Sequence, residues 1–259
     1  MVSRKSVRLA KKLPNRLLFI ALCCAIWLAL ASCGPRFEDM SAAEISSYAQ
    51  DRFENKKYSD AIDAYEALID LYPFSMYVTL AELGLADAEF ARKRWIEAEA
   101  AYDAFAKRHP NHDKIDHAIY HSGMCSYEQK LAIDRDQTQT QKAESNLSKV
   151  VSQYPDSSYY AEARLHLKEV RNDLAKRERY VAKHYWRDKE YYAAYKRYER
   201  IFRLFSDTDY YEEALYYGAR CLINLDENRQ AERLLDQLLR RFPDGKYADD
   251  AKDLLAETD

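Results

Sequence analysis

The stretch WIEAEAAYDAFAKRHP at residues 95–110 decides the fold, because its pattern returns three more times along the chain. The small residue Ala98 is followed four positions later by Tyr102, three positions after that by Phe105, and finally by a proline at 110. Residues spaced by three and four share one helix face, and proline cannot continue a helix since it lacks an amide hydrogen. The other copies are YSDAIDAYEALIDLYP (58–73), TQKAESNLSKVVSQYP (140–155) and NRQAERLLDQLLRRFP (228–243). The pattern predicts helices that approach a preceding helix closely at the alanine and end at the proline.

A fifth copy, YYAAYKRYERIFRLFS at 191–206, keeps the alanine and both large apolar residues but has Ser206 in place of the proline. The five alanines are 37, 45, 51 and 37 residues apart, whereas the tetratricopeptide repeat, which the copies resemble, has a period of about 34 residues. We therefore predict an all-α, tetratricopeptide-like superhelix of about five helical hairpins over residues 41–259, with longer helices or loops in the middle. The segment DRDQTQTQ (134–141) is the predicted extra loop. SAAE at 41–44 fits a capping box that starts the first helix.

The N-terminus has the pattern of an export signal. Residues 1–16 carry six basic side chains and no acidic one, and residues 17–30 contain no charge. A basic head before a short apolar run is typical of a secretory signal. This run of 14 residues falls short of the roughly 20 apolar residues that a membrane-spanning helix needs. The segment is therefore predicted to be cleaved rather than to stay as an anchor.

A cysteine follows the apolar run directly after two small residues. The sequence LASC at 30–33 resembles the lipobox of bacterial lipoproteins, whose cysteine receives a diacylglycerol. Residues 1–32 are therefore predicted to be a lipoprotein signal peptide, Cys33 the lipid attachment site, and residues 33–40 a lipidated tether. Since buried methylenes contribute about 0.8 kcal/mol each, several acyl chains would hold the protein stably at a membrane. An ordinary secretory signal with a chance cysteine is the alternative.

The composition favours a helical protein that does not bind nucleic acid. Only 5 Gly and 6 Pro among 259 residues leave little material for β-hairpins. Without residues 1–32, the chain has 34 basic and 43 acidic residues, a net charge of −9, which disfavours phosphate binding. Besides Cys33, this part holds only Cys125 and Cys221. Both are predicted to be small buried apolar residues rather than a disulfide framework.

No motif in the sequence indicates catalysis. The chain lacks a glycine-rich phosphate loop, a GxSxG motif and a CxxC pair. Four of the six histidines lie in HPNHDKIDHAIYH at 109–121, where His117 and His121 have a spacing that can hold a metal. There is no HExxH motif and no clear third ligand. We therefore predict no metal, no cofactor and no enzymatic activity, and we interpret these histidines as solvated side chains of a turn and a helix.

Two biases in composition point to protein binding. Among the 22 tyrosines, Tyr65, Tyr102 and Tyr198 occupy motif positions and are predicted to lie in the core. The surplus suits either a peptide-binding groove or an aromatic-rich core. Residues 164–203 hold 13 basic and six acidic residues inside an acidic chain. Such a run is either a solvated face or a surface that docks against an acidic partner.

Five segments, taken in order, carry a family resemblance. They are LYPFSMY (71–77), HPNHDKIDHAIYHSGM (109–124), DRDQT (134–138), YPDSSYYAEAR (154–164) and LAKRERYVAKHYWRDKEYYAAYKRYE (174–199). With the lipobox, they resemble the BamD family, also called YfiO or ComL. Its members are lipoproteins of the machinery that inserts β-barrel proteins into the bacterial outer membrane. The resemblance runs from Cys33 to about Phe205, and His117 stands where the family usually has an aromatic residue.

The resemblance implies a scaffold at the periplasmic face of the outer membrane rather than an enzyme. Its C-terminal half would bind the periplasmic domains of the central barrel subunit, alongside companion lipoproteins, and Arg197 matches an arginine that BamD-like proteins use against the barrel subunit. Its N-terminal repeats would receive the C-terminal targeting strands of unfolded outer-membrane proteins, with Tyr77, Tyr120 and Tyr127 as candidate contacts. A pilot lipoprotein for secretin assembly, or another periplasmic repeat-protein scaffold, is the alternative.

Overall fold

The computed structural model describes residues 36–258, and the chain divides into two units, Met1–Ser41 and Ala42–Asp259. The described residues of the first unit contain a short 3₁₀ helix, Phe37–Asp39. The second unit contains eleven α-helices, and no strand occurs in the described part of the chain. The predicted all-α fold is confirmed. The predictions for the signal peptide and for Cys33 fall outside the described residues.

The helices form five successive hairpins and one further helix at the end. They are α1 (Ala42–Glu54), α2 (Tyr58–Leu71), α3 (Val78–Ala91), α4 (Trp95–Arg108), α5 (Ile115–Glu128), α6 (Thr138–Gln153), α7 (Tyr160–Arg187), α8 (Tyr191–Leu204), α9 (Tyr211–Ile223), α10 (Asn228–Arg241) and α11 (Ala248–Thr258). Each helix packs mainly against the helices before and after it in the chain. The five motif copies are the even-numbered helices, the second helix of each hairpin, as the alanine pattern predicts.

The motif residues form the core. The five motif alanines are 0% exposed, at Ala61, Ala98, Ala143, Ala194 and Ala231. The apolar residues four positions later are buried as well, including Tyr102 and Tyr198. Cys125 and Cys221 are buried free cysteines, and burial raises the pKa of each thiol to about 12. Their predicted role as small apolar core residues is confirmed.

Two kinds of turn alternate along the array. The connectors between hairpins are all six residues long, at 72–77, 109–114, 154–159, 205–210 and 242–247. This length is kept at 205–210, where Ser206 replaces the proline, so the connector does not need proline to form. The tight turns inside four of the hairpins contain a non-glycine residue with a positive φ of 59–61°, at Lys56, Lys93, Lys189 and Asp226.

The long spacing in the middle of the chain has two causes. A nine-residue loop, 129–137, joins α5 to α6, and α7 is 28 residues long. The predicted loop at 134–141 is wrong in its second half, because α6 already begins at Thr138. The Asp136 carboxylate accepts hydrogen bonds from the Thr138 amide at 3.2 Å and from its hydroxyl at 3.1 Å. These bonds satisfy a free amide at the helix start and allow the helix to begin early.

Helix α7 is longer than its neighbours. It packs against both α6 and α8, with Arg171 paired to Glu144 of α6 and Glu178 paired to Arg197 of α8. Its 28 residues extend over about 42 Å. Its sequence is rich in charged side chains. Within residues 36–258, no helix combines the length and the apolar character needed to cross a membrane.

Candidate functional site

Two clusters of aromatic and charged side chains occupy equivalent places in the array. The first lies between the second and third hairpins, and we call it the histidine cluster: Asp87, Tyr102, His117, Tyr120, His121 and Tyr159. The second lies between the fourth and fifth hairpins, and we call it the basic cluster: Lys183, Tyr198, Glu213, Tyr216, Tyr217 and Tyr247. Counted from the motif alanines Ala98 and Ala194, the first five members of each set stand at the same positions. The sixth is in both cases the last residue of a connector.

The rings of the two clusters stack in the same way. The pair that includes the connector tyrosine has centroid distances of 4.6 and 4.8 Å and an interplanar angle of 19° in both, for Tyr120–Tyr159 and Tyr216–Tyr247. The pair that includes the motif tyrosine has distances of 5.6 and 5.8 Å and angles of 20° and 18°, for Tyr102–His121 and Tyr198–Tyr217. The repeat geometry therefore sets the ring arrangement, whether the second ring is histidine or tyrosine.

In the histidine cluster, the carboxylate of Asp87 contacts Tyr102 and His117, whereas the buried Nδ1 of His121 has no hydrogen-bond partner among the described residues. Oδ1 of Asp87 accepts a hydrogen bond from the Tyr102 hydroxyl at 2.6 Å and lies 2.6 Å from Nε2 of His117. The other ring nitrogen of His117, Nδ1, lies 2.8 Å from the Tyr159 hydroxyl. A neutral His117 with its proton on Nε2 satisfies both contacts. Burial, and then the Asp87 carboxylate, raise the pKa of Tyr102, so its hydroxyl stays a donor.

In the basic cluster, the acidic and basic residues of the central pair have changed places relative to the histidine cluster. Lys183 takes the place of Asp87 and Glu213 the place of His117, and their Nζ and Oε1 atoms are 3.0 Å apart. Arg179 adds a second cation, 2.7 Å from the same oxygen. Burial would raise the pKa of Glu213, but hydrogen bonds from Arg179 and Lys183 hold it below its ordinary value. The Tyr198 hydroxyl has no hydrogen-bond partner among the described residues.

The prediction of solvated histidines is wrong for His117 and His121, the two that lie on helix α5. His117 is only 20% exposed and is bonded on both ring nitrogens. His121 packs on Phe90 and Tyr102, and burial, followed by repulsion from the protonated form of His117, lowers its pKa to about 4. The i,i+4 spacing places both rings on the face of α5 that packs against α4. In residues 36–258, no group of three His, Cys, Asp or Glu side chains could hold a metal ion.

The three tyrosines predicted to bind substrate lie in different surroundings. Tyr77 ends the first connector and is half-buried. Tyr120 is 5% exposed, and its hydroxyl donates to Glu162 at 3.0 Å. Tyr127 is partly exposed and donates to Glu169 at 2.5 Å. Tyr120 is therefore part of the core, whereas Tyr77 and Tyr127 reach the surface.

Arg197 lies at an ion pair on the surface of α8. Its Nη1 is 3.2 Å from Oε2 of Glu178, and Nε of Arg200 is 3.2 Å from the other oxygen of the same carboxylate. The Glu178 side chain is 12% exposed and that of Arg197 is 37% exposed. Arg197 therefore lies at the edge of the buried face of α8 and is held by a carboxylate of its own chain.

Comparison with known proteins decides the family. The model of the YfiO family, described as an outer membrane lipoprotein, matches residues 38–233. The chain belongs to the YfiO family. The resemblance predicted from the sequence is thereby confirmed.

Several relatives of the YfiO protein span most of its length. It is 28% identical over 247 residues to an outer membrane protein assembly factor BamD from Neisseria meningitidis serogroup B, covering 88% of this chain and 92% of the relative. It is 26% identical over 219 residues to the BamD of Caulobacter vibrioides, covering 85% and 72%. Among solved structures, the TPR2AB domain of yeast Sti1 is similar with a TM-score of 0.41 and 13% identity, covering 84% of this chain and 82% of that one.

The YfiO match includes the histidine cluster, the three predicted tyrosines and Arg197, and it ends within α10. Sequence reasoning missed both clusters, because their polar members lie outside the motif positions. One signal could have found them. Placing the segments before Ala98 and Ala194 side by side aligns Asp87 with Lys183, a reversal of charge at one repeat position.

Proposed function

We propose that this YfiO protein is a scaffold subunit for the assembly of β-barrel proteins, held by lipid at the periplasmic face of the outer membrane. The family match over residues 38–233 carries this proposal, and the relatives named as outer membrane protein assembly factors support it. In this proposal, residues 1–32 are removed, Cys33 carries the lipid and residues 33–40 are the tether. The helical hairpins from residue 41 onward form the part that binds partners.

The lipid anchor can be tested separately. Labelled palmitate should enter the wild-type chain, and Cys33→Ala should remove the label and leave the protein outside the membrane fraction. Cys125→Ala is a matched control, because its thiol is buried. Equal labelling of the Cys33→Ala variant would contradict the anchor without affecting the partner contacts.

Arg197 is the proposed contact with the barrel subunit. Two cations share Glu178, so a carboxylate of the partner can take up Arg197 while Arg200 continues to neutralise Glu178. A guanidinium can bind a carboxylate through two parallel hydrogen bonds, which gives the contact direction as well as strength. Losing one partner of such a desolvated pair costs about 2–5 kcal/mol of binding.

Arg200 provides the matched control, since both arginines contact the same carboxylate from the same helix. Arg197→Glu and Arg200→Glu should each lose an ion pair and lower the free energy of unfolding by about 1 kcal/mol or less. Only Arg197→Glu should lose the barrel subunit when the protein is purified from mild detergent extracts. If both variants lose the subunit equally, the effect comes from Glu178 and the contact through Arg197 is wrong.

The first three hairpins are the proposed receiver of targeting strands. Tyr77 and Tyr127 offer rings at the surface, and Tyr120 would support them from the core through its bond to Glu162. A photo-crosslinking side chain placed at Tyr77 or Tyr127 should capture peptides that end like barrel strands, and one at Tyr120 should capture far less. Capture confined to positions in α8–α10 would contradict this assignment.

A further inference from the structure

A cleft with a volume of about 390 Å³ opens beside the basic cluster, lined by residues of α7, α8 and α9 and by Ile133 of the loop after α5. Four basic side chains of α7 line it, at Lys176, Arg179, Lys183 and Arg187. Their spacing of three, four and four residues places them on one helix face. From first to last, this row extends over about 16 Å.

The charge in the cleft is only partly balanced. Arg179 and Lys183 share the carboxylate of Glu213. Lys176 and Arg187, at the two ends of the row, form no ion pair with any described residue. The row therefore keeps an excess of positive charge although the chain as a whole is acidic.

A buried donor also belongs to this cleft. Tyr198 lines it and is 0% exposed, and its hydroxyl has no acceptor among the described residues. Burial raises the pKa of Tyr198, so the hydroxyl keeps its proton. Tyr102, at the same repeat position, donates to Asp87 instead. The acceptor of the histidine cluster is thus bonded to its motif tyrosine, whereas the carboxylate of the basic cluster, Glu213, is bonded to Arg179 and Lys183 and leaves Tyr198 without an acceptor.

We propose that this cleft binds an acidic peptide segment of a protein partner, with one carboxylate accepting a hydrogen bond from Tyr198 and others pairing with Lys176 and Arg187. A single phosphate cannot reach both ends of a row this long, whereas neighbouring acidic residues of one peptide can. A flat lipid surface would touch the rim of the cleft but not the buried hydroxyl. Tyr180, which is 52% exposed, and Trp186 line the same cleft and provide apolar surface for a side chain between the carboxylates.

This site is separate from the proposed contact of Arg197. Glu178 and Arg200, which form the ion-pair group with Arg197, line a different cleft together with Arg171 and Phe205. Neighbouring residues on a helix point about 100° apart, so Glu178 and Arg179 face different sides of α7. The acidic-peptide site does not depend on the proposed function.

The test uses the purified full-length chain and a fluorescein-labelled decapeptide with four glutamates around one phenylalanine. Fluorescence anisotropy should show binding that weakens as salt rises, and the peptide with glutamines in place of the glutamates should bind at least tenfold more weakly. Tyr198→Phe should weaken binding about tenfold, because one charge-assisted hydrogen bond is lost. The matched variant Tyr102→Phe should leave peptide binding unchanged.

Charge reversal tests the row itself. The double variant Lys176→Glu with Arg187→Glu should abolish binding, whereas Lys168→Glu, an exposed lysine of the same helix outside this cleft, should not. Equal binding of the glutamine peptide, or unchanged affinity in Tyr198→Phe, would overturn the proposal. Binding of phosphatidylglycerol vesicles through the same residues, with no binding of the peptide, would overturn it in favour of a lipid headgroup.

Discussion

Tyr102 and Tyr198 occupy the same position in the repeat and stack on a neighbouring ring in the same way, yet their hydroxyl groups differ in hydrogen bonding. The hydroxyl of Tyr102 is bonded to Asp87, and that of Tyr198 has no acceptor in the described part of the chain. The difference follows from one position, which is Asp87 in the histidine cluster and Lys183 in the basic cluster. The repeat therefore fixes where the rings lie, and the side chain at that position decides whether the motif tyrosine finds an acceptor within its cluster.

The largest expected effect is a difference in the free energy of unfolding between equivalent variants of the two clusters. Asp87→Ala removes the acceptor of the buried Tyr102 hydroxyl and of His117, so the free energy of unfolding should fall by about 3 kcal/mol. The equivalent change, Lys183→Ala, leaves Glu213 paired with Arg179 and removes a side chain that is 43% exposed. Its loss should be about 1 kcal/mol or less. Urea unfolding followed by circular dichroism measures both, and equal losses would show that the clusters do not differ in this way.

A smaller effect is a pH dependence of stability that only the histidine cluster should contribute, through His121. The pKa of His121 is held at about 4, below its ordinary 6.5, so the unfolded chain binds a proton at a pH where the folded chain does not. Above pH 6.5 neither state binds this proton, so His121 does not affect stability there. The free energy of unfolding should therefore fall as the pH drops from 6.5 toward 4. We expect a loss of about 2 kcal/mol near pH 5 relative to neutral pH.

Replacing the histidine sharpens this comparison. His121→Tyr copies Tyr217 of the basic cluster and should remove this part of the pH dependence. His184→Gln is the control, since the His184 side chain is 63% exposed. The groups that face His121 are His117, Asp87 and the rings of Phe90, Tyr102, Tyr120 and Tyr159. Identical pH profiles of the wild-type chain and His121→Tyr would show that this pH dependence does not come from His121.

The smallest expected effect is one that the two regions share. Lys93 and Lys189 close equivalent tight turns with positive φ values of 60° and 61°, a conformation that strains a residue with a side chain. Lys93→Gly and Lys189→Gly should each raise the free energy of unfolding by about 0.5 kcal/mol. Alanine at the same positions should give no gain. Thermal melting checks this, and a gain at only one of the turns would mean that the two hairpins are not equivalent.

Much of the fold could be predicted from the sequence, because the determining pattern is local. Alanine, two apolar residues and proline within 16 positions fix a helix, its buried face and its end, so the five motif helices were found. Ser206 shows the limit of that pattern, since the connector there keeps its length without proline. The early start of α6 depends on Asp136, whose role is visible only once its hydrogen bonds to Thr138 are known.

The candidate sites were harder to predict, because their contacts join distant parts of the chain. His117 is bonded to Asp87 and Tyr159, which lie on either side of it in sequence by 30 and 42 residues. Spacing within one segment indicates only that His117 and His121 share a helix face, and it does not show what packs against that face. Arg197 was singled out by resemblance alone, and its partner Glu178 could not be found from spacing because it comes from a different helix.

Helix α7 is a continuous helix that runs between the two clusters. The connector residue Tyr159 of the histidine cluster precedes its first turn, and Lys183 of the basic cluster lies near its last. About 36 Å of continuous helix separates them. Arrays of short repeats bend at each joint, since every unit touches only its neighbours. Here one continuous helix joins the two clusters, so their separation is fixed by the length of α7 rather than by the packing of several short repeats.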